Sequence, residues 1–475
     1  MKKCIVVVLL GFLLMGCGKT EDEKEEVVWY VSDSCFEDPI MDEDLYKPIE
    51  NEKTKAVNAY LEKQDEDFEI VFKAYRDEGE GVKTIKEKDK EADIAPFDYY
   101  GYNEFEELDF MLSSEEGKKL NKEFSKEFWE SQKVNHKTLQ IPKPGFCGYG
   151  TSFFVDKEFM ENNHLTAEDF SEQGIAALEK ITEIAQKDPS YKKEYCVTLS
   201  GGMNVSYLLR ESYTSLMKDE GLFEGIVIRS SDGKVVNSFE EPEFQKQMAM
   251  YQKIWKEDLD AHVEEMDLPQ ICFLGPSYSG YIEGMENGYE EIPISGFSAT
   301  KTVGYGILKE SEQKETALKA LTAVYTEPEL SNILIHGIEG EDYEVEDGYA
   351  VYKEEKGTSS PYGTYIGIGN NLLAYPTQVE DKNKKEIVER SWMGTAMKPE
   401  NGFVPDISEF EEEYDRITEI YMDAQTKLSY EDVGDIQAFY TDVNQKLKNA
   451  GIENVIVELQ KQLDAFMEET DGTEN

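Results

Sequence analysis

Val27-Val28-Trp29-Tyr30-Val31, Phe68-Glu69-Ile70-Val71-Phe72 and Ala92-Asp93-Ile94-Ala95-Pro96-Phe97 decide the fold. Each is a short apolar run of the kind that forms a buried strand. Between the first two, Ala56, Val57, Tyr60 and Leu61 recur at helical spacing within residues 51–63. The third run ends at Pro96, which cannot donate to a ladder. A β-α-β opening followed by more β-α material predicts a parallel sheet covered by helices.

Outward from this opening the alternation continues. The acidic segment 33–48, with Pro39 and Pro48, reads as a loop. Leu139–Pro142 and Gly150–Val155 read as strands joined through Lys143-Pro144-Gly145. A helix is expected after them, with Thr166 as N-cap, Asp169 in the first turn and Leu178, Ile181 and Ala185 on one face. Gly225–Ser230 reads as a strand and Asp232-Gly233 as a turn. From Pro242, Phe244, Met248, Tyr251 and Trp255 form a helical stripe that reads as core. Gln270–Leu274 and Gly304–Leu308 are further short strands. A helix over Glu315–Thr326 turns Leu318, Leu321 and Tyr325 inward and is expected to end at Pro328. Two more apolar stripes follow: Ile436, Phe439, Val443 and Leu447, closed by Gly451 as C-cap, then Ile456, Leu459, Leu463 and Phe466. The polar tail 468–475 is expected to fray.

The chain has 475 residues, more than one core organises, so two or three lobes are expected. It carries 100 acidic against 49 basic residues, a net charge of −51. That balance argues against nucleic acid, polyanionic ligands and anionic lipid surfaces, and favours a neutral or cationic ligand. At the N-terminus, Lys2 and Lys3 precede an apolar run from Ile5 to Met15, too short to span a bilayer. The run ends in Leu13-Leu14-Met15-Gly16-Cys17, the anatomy of a signal peptide with a cysteine just after its small residue. This resembles the lipobox of bacterial lipoproteins, which implies a diacylglyceryl anchor on Cys17. Residues 1–16 are then signal peptide and 17–26 a lipidated cysteine with a polar tether. Cys35, Cys147, Cys196 and Cys272 remain, widely spaced and without a C-x-x-C pair. They are open either to disulfide formation or to burial as small hydrophobes.

Motifs for catalysis are missing. His262 is followed by Val-Glu-Glu-Met rather than the zinc-protease pattern, and Gly-Pro-Ser277-Tyr-Ser-Gly does not match the nucleophile elbow. No cofactor and no metal are expected. What stands out is aromatic side chains beside glycine at strand ends, where rings can form platforms for the apolar faces of sugars. Tyr99 and Tyr100 follow the third strand, Tyr149 flanks Gly148, and Tyr278 and Tyr281 follow Gly275-Pro276. Tyr362, Tyr365 and Tyr375 cluster with Gly363, Gly367 and Gly369. Because open α/β sheets place ligands at strand carboxyl ends, these positions are candidate ligand contacts. Asp33, Asp98 and Asn370 are their candidate polar partners, and Tyr207 and Tyr305 extend the set. Tyr99 and Tyr100 are expected to face Tyr278 and Tyr281 across a cleft.

The order of elements resembles the extracellular solute-binding lipoproteins of ABC importers. The resemblance is carried by the lipobox, the Asp93-Ile94 strand, the Leu139-Gln-Ile-Pro142 crossover and Gly150–Asn163. It is also carried by Asn332-Ile-Leu-Ile-His-Gly-Ile-Glu-Gly-Glu-Asp-Tyr343, similar to the N-L-L-x-x-G-I-E-G segment of one subgroup with a helical C-terminal region. It implies an α/β, two-lobed, type II periplasmic-binding-protein fold with hinge crossovers near 141–149, 298–304 and 360–372. Lobe 1 would comprise 27–143 plus 301–365, and lobe 2 144–300 plus 366–475. The resemblance implies a non-enzymatic monomer on the extracellular side of the cell membrane. It would be held there by its lipid anchor and would deliver a solute, carbohydrate first, to permease subunits. A peptide or other amphipathic nutrient is the alternative cargo and a sensor subunit the alternative role; a secreted glycosidase would need a carboxylate pair in the cleft.

Overall fold

The computed structural model describes residues 24–33, 41, 44–76, 81–145, 148–171, 180–181, 183–184, 187, 197–198, 209, 212–218, 225–256, 272–277, 288–293, 298–299, 302–353, 368–378, 380–394 and 397–473. The strands among them are β1 (Glu25–Ser32), β2 (Phe68–Tyr75), β3 (Ile94–Pro96), β4 (Gly148–Asp156), β5 (Val197–Thr198), β6 (Tyr213–Ser215) and β7 (Ile226–Arg229). They continue with β8 (Lys234–Asn237), β9 (Cys272–Ser277), β10 (Tyr289–Pro293), β11 (Ser298–Ala299), β12 (Tyr305–Ile307), β13 (Tyr343–Glu346) and β14 (Tyr349–Tyr352).

The first sheet runs β12-β3-β1-β2, with β1 parallel to both β2 and β3 and β12 antiparallel to β3. β1 is buried from Val27 to Ser32, as expected of a central strand covered on both faces. Trp29 fills the layer beneath it, edge-on to Tyr305 at 5.2 Å. Asp93 sits just before β3. Its carboxylate accepts from Val28 N at 3.0 Å and from Ser311 Oγ at 2.6 Å, so the buried charge is satisfied. Burial pushes its pKa up. The outer edge of β2 is covered: Asn58, on helix Glu52–Lys63, pairs with both backbone groups of Ile70 at 2.9 and 3.0 Å.

The second sheet runs β10-β4-β9-β5, with β11 also on β4, and a small antiparallel sheet β6-β7-β8 lies beside it. The two largest cores belong one to each sheet, and a further cluster with Val28, Tyr30, Phe97, Val134, Leu139 and Val404 covers the first sheet's other face. Of the two largest, one gathers Trp29, Ile70, Phe128, Leu321 and Tyr325 around the first sheet. The other gathers Phe153, Ile228, Tyr251 and Cys272 with Tyr414, Tyr421, Leu447 and Leu463 from the C-terminal helices Glu411–Tyr430, Ile436–Ala450 and Ile452–Thr473. Phe244, Met248 and Tyr251 of the Pro242–Lys256 helix are core, as their spacing predicts, whereas the side chain of Trp255 lies outside the described residues. Gly451 takes φ +97° and closes its helix. Burial of Cys272 pushes its thiol pKa up.

The chain leaves the first sheet near Ile141 and returns at Tyr305, and these two passages are bonded to each other. Ile141 N donates to Tyr305 O at 2.8 Å and Tyr305 N to Ile141 O at 3.0 Å. A Cβ on Gly304 would lie 2.0 Å from the Ile141 carbonyl oxygen, so only glycine permits this approach. A third passage lies between Trp392, in the first core, and Phe403, in the second. Ile368, Leu372 and Val388 pack with Trp392 in the first core.

Several local expectations change. Leu139–Pro142 is not a strand; only Ile141 makes a ladder contact, because its sole neighbour is the returning chain. Glu25 and Glu26, expected in the tether, pair with Phe68 and Glu69, since a parallel neighbour supplies partners whatever the side-chain polarity. Pro328 does not merely end a helix but opens the next, Pro328–His336, where its missing N–H costs nothing. The polar tail stays helical to Thr473 rather than fraying from 468. Helices Val82–Lys88, Glu115–Asn121, Lys126–Ser131 and Lys384–Gly394 were not legible, being short and polar.

His336 ends helix Pro328–His336 and is buried. Its Nε2 donates to the Tyr375 carbonyl at 2.8 Å, leaving Nδ1 to accept from the Tyr352 hydroxyl. Burial holds its pKa down at about 4, below the ordinary 6.5. The unfolded chain therefore binds the extra proton first. The stability is intact above pH 6.5 and is lost as pH falls through 4, by an amount on the order of 3 kcal/mol. Urea unfolding at pH 7 and pH 4.5 should show a larger acid loss in the native chain than in His336→Gln; equal losses would place the sensitivity elsewhere.

Candidate functional site

The parallel strands β1, β2 and β3 end side by side. Ser32 pairs with Tyr75, so Asp33 and Arg76 are the next residues out, and the Trp29–Ile94 register carries Asp98 to the same level. Asp33 and Arg76 form an ion pair at 2.9 Å. Asp98 turns the chain: its Oδ1 accepts from Tyr100 N at 2.9 Å. Its Oδ2 accepts no hydrogen bond among the described residues. Two glycines make room for it: a Cβ on Gly101 or Gly81 would lie 2.7 or 2.9 Å from that oxygen. The edge thus presents a half-buried carboxylate beside an arginine–aspartate pair. Such groups accept and donate hydrogen bonds to hydroxyls without themselves undergoing chemistry.

Tyr100 reaches from this edge to the other core. Its hydroxyl donates to the Leu216 carbonyl at 2.8 Å, and its ring packs against the second core and against the cluster of Phe97 and Phe105 on the other face of the first sheet. Tyr99 is interior instead: it is 7% exposed, lies edge-on to Phe97 and donates its hydroxyl proton to Thr302 O at 2.9 Å. There it joins Gln140, whose Nε2 donates to the Tyr99 hydroxyl at 3.0 Å and to Thr302 O at 3.1 Å. The Gln140 Oε1 accepts from Gly304 N at 2.7 Å, and Gln132 Oε1 accepts from Thr302 N and Oγ1. Tyr305 is likewise buried against Trp29. Asn370 is buried away from the edge, donating to Tyr325 O at 2.9 Å and accepting from Leu372 N at 3.0 Å.

In the second sheet Gly150 pairs with Ser277, and Tyr149 and Gly148 pair with Ser298 and Ala299. The side chain of Tyr149 lies outside the described residues, as do Tyr207, Tyr278, Tyr281, Tyr362, Tyr365 and Cys17, with Cys35, Cys147 and Cys196. Of the expected contacts, Asp33, Asp98 and Tyr100 are brought together. Sequence reasoning passed over Arg76, although it directly follows the strand Phe68–Tyr75 and so holds a carboxyl-end position. It also passed over Gln132 and Gln140, whose pairing with Thr302 and Gly304 has no local signal. Among the described residues no group of His, Cys, Asp or Glu is arranged to hold a metal, and no helix is long and apolar enough to cross a membrane.

Solved structures share the architecture of this chain, and a known sequence resembles it along most of its length. Residues 399–468 match a family model described as Domain of unknown function (DUF3502). Over 438 residues, 86% of each chain, the sequence is 23% identical to a carbohydrate ABC transporter substrate-binding protein of Streptococcus pneumoniae serotype 4. The N-glycan transport solute binding protein NgtS of Streptococcus pneumoniae superposes with a TM-score of 0.68 at 19% identity, over 94% of this chain and 99% of that one. The NgtS complex with Man1GlcNAc gives 0.63 at 19% identity, over 94% and 100%. The fold is therefore the two-lobed α/β architecture of solute-binding proteins.

Gly101→Ala is expected to push its methyl into Asp98 and Val82 Cγ1, both 2.7 Å away, and to lower stability by about 1–3 kcal/mol. Urea denaturation checks this; an unchanged midpoint would mean that the Asp98 turn is loosely held.

Proposed function

We propose that this chain is the solute-binding component of an ABC importer and that it captures an oligosaccharide of the N-glycan kind between its lobes. The observation that carries this is the similarity, over 86% of both chains, to a carbohydrate substrate-binding protein. The fold shared with NgtS, whose Man1GlcNAc complex is known, supports it. On this reading the protein is not an enzyme; its work is binding, closure and delivery. Asp33, Arg76, Asp98 and Tyr100 are assigned to one wall, and Tyr278 and Tyr281, which lie outside the described residues, are assigned to the other as stacking rings. The first lobe holds β1–β3, β12 and the chain through Trp392. The second holds β4–β11 and the chain from Phe403. The boundary expected at 366 is moved in this proposal to after Trp392, because Ile368, Leu372 and Val388 pack with the first core.

We further propose that the mature chain begins at a lipidated Cys17 facing the outside of the cell membrane, on the strength of the Leu13–Cys17 pattern. The Asn332–Tyr343 segment supports a place in the subgroup with a helical C-terminal region.

A thermal-shift series tests the cargo. Ligand binding to the folded state alone raises the melting point. A mannose- and N-acetylglucosamine-containing oligosaccharide should raise it, and a cationic peptide should not; the reverse result would establish peptide cargo. Asp98→Asn keeps the turn but removes the charge, and a hydrogen bond to a charged group contributes about 1.5–3 kcal/mol. The variant should bind the sugar roughly ten- to a hundred-fold more weakly.

A further inference from the structure

Val134 and Lys137 pair across a two-residue turn in which Asn135 and His136 both have positive φ, 46° and 65°. Turns of this form favour glycine at the second position, and asparagine only at the first. Histidine at positive φ is less favourable than glycine, and here its ring has a distant partner. The ring of His136 stacks on Phe466 at 4.2 Å with an interplanar angle of 9°. Its Nε2 donates to the Phe466 carbonyl at 3.2 Å. Asn135 is held by three bonds to the same part of the chain: N to Gly402 O at 2.8 Å, Nδ2 to Val404 O at 2.9 Å, and Oδ1 from Val404 N at 3.1 Å. Gly402 has φ +84°, and a Cβ there would meet Lys133 O at 2.6 Å. Phe403 packs into the second core while Val404, the next residue, packs with Val134 and Leu139 in the cluster on the other face of the first sheet. The successive side chains of Phe403 and Val404 therefore enter different clusters.

We propose that the Asn135–His136 turn is the fixed joint between the lobes, clamped by Gly402–Val404 and Phe466, and that holding it is a function of the segment matching the domain of unknown function. The inference rests on the two-lobed reading but on no choice of cargo. Among the described residues, Tyr100 also reaches the second core, with its ring 6.4 Å from Tyr414 and its hydroxyl on Leu216 O, and Asn401 Nδ2 reaches Ser131 O at 3.2 Å. Those can part while the turn stays docked, since among the described residues the turn alone combines a reciprocal side-chain pair, a stacked ring and apolar wedging at one place.

His136→Gly separates this from a local role. Glycine fits φ 65° better than histidine, so the turn itself is kept or strengthened. Asn135→Gly keeps the backbone form and removes the pair with Val404. Hydrogen–deuterium exchange of the sugar-free full-length chain is the measurement, because it resolves local opening from global unfolding. In either variant, exchange at residues 402–405 should rise roughly tenfold or more while β1, β2 and β4 stay as protected as in the native chain. Small-angle scattering should show a larger radius of gyration. Unchanged exchange at 402–405 would overturn the proposal, and so would a rise spread equally through β1 and β2, which would make the turn an ordinary part of the first core. The native chain's melting-point response to the oligosaccharide is independent of both results and reports on the cargo reading separately.

Discussion

The structure depends on one return of the chain. The first sheet lacks its fourth strand until Tyr305–Ile307 comes back, antiparallel, after the whole second sheet has been laid down. The outgoing and returning passages must then run beside each other, and the Ile141–Tyr305 pair fixes them in contact. Everything nearby serves that contact. Gly304 is bare so that the two backbones can touch. Gln140, Gln132 and the Tyr99 hydroxyl satisfy the polar groups of Thr302 and Gly304 that no regular ladder would cover. Asp93 uses one carboxylate to tie Val28 to Ser311, and so β1 to the chain after β12.

On the proposed reading the same arrangement decides where a ligand is met. Parallel strands all point their carboxyl ends one way, and the residues just past those ends lie level with one another. Asp33, Arg76 and Asp98 gather for that reason, although they are far apart in sequence. The aspartate–arginine pair orients two flexible chains, and the glycines beside Asp98 let its carboxylate sit close to the backbone.

Much of this was legible in the sequence where one rule acted alone. Strands with apolar runs, such as Val27–Val31 and Phe68–Phe72, and helices with clean stripes, such as Ile436–Leu447 closed by Gly451, are as expected. Legibility failed where partners are distant. Tyr99 and Tyr100 are identical neighbours in composition, yet Tyr99 is drawn inward by Thr302 and Gln140 while Tyr100 is drawn across by Leu216. Nothing within ten residues of either encodes that difference. Asn370 carries the glycine before it that suggested an exposed loop, but Tyr325 and Ser331 enclose it. Arg76 was hidden by the opposite problem: a single cation in an acidic chain reads as solvated surface until the strand register places it beside Asp33.

The central claim is that a sugar is held between the carboxyl ends of β1–β3 and the end of the second sheet at Ser277. A crystal structure of the chain grown with Man1GlcNAc tests it most directly. The account predicts one oligosaccharide in that space, with a hydroxyl on Asp98 Oδ2 and the Asp33–Arg76 pair in contact or one water away. Sugar bound elsewhere, with the Asp98 edge facing only solvent, would contradict it.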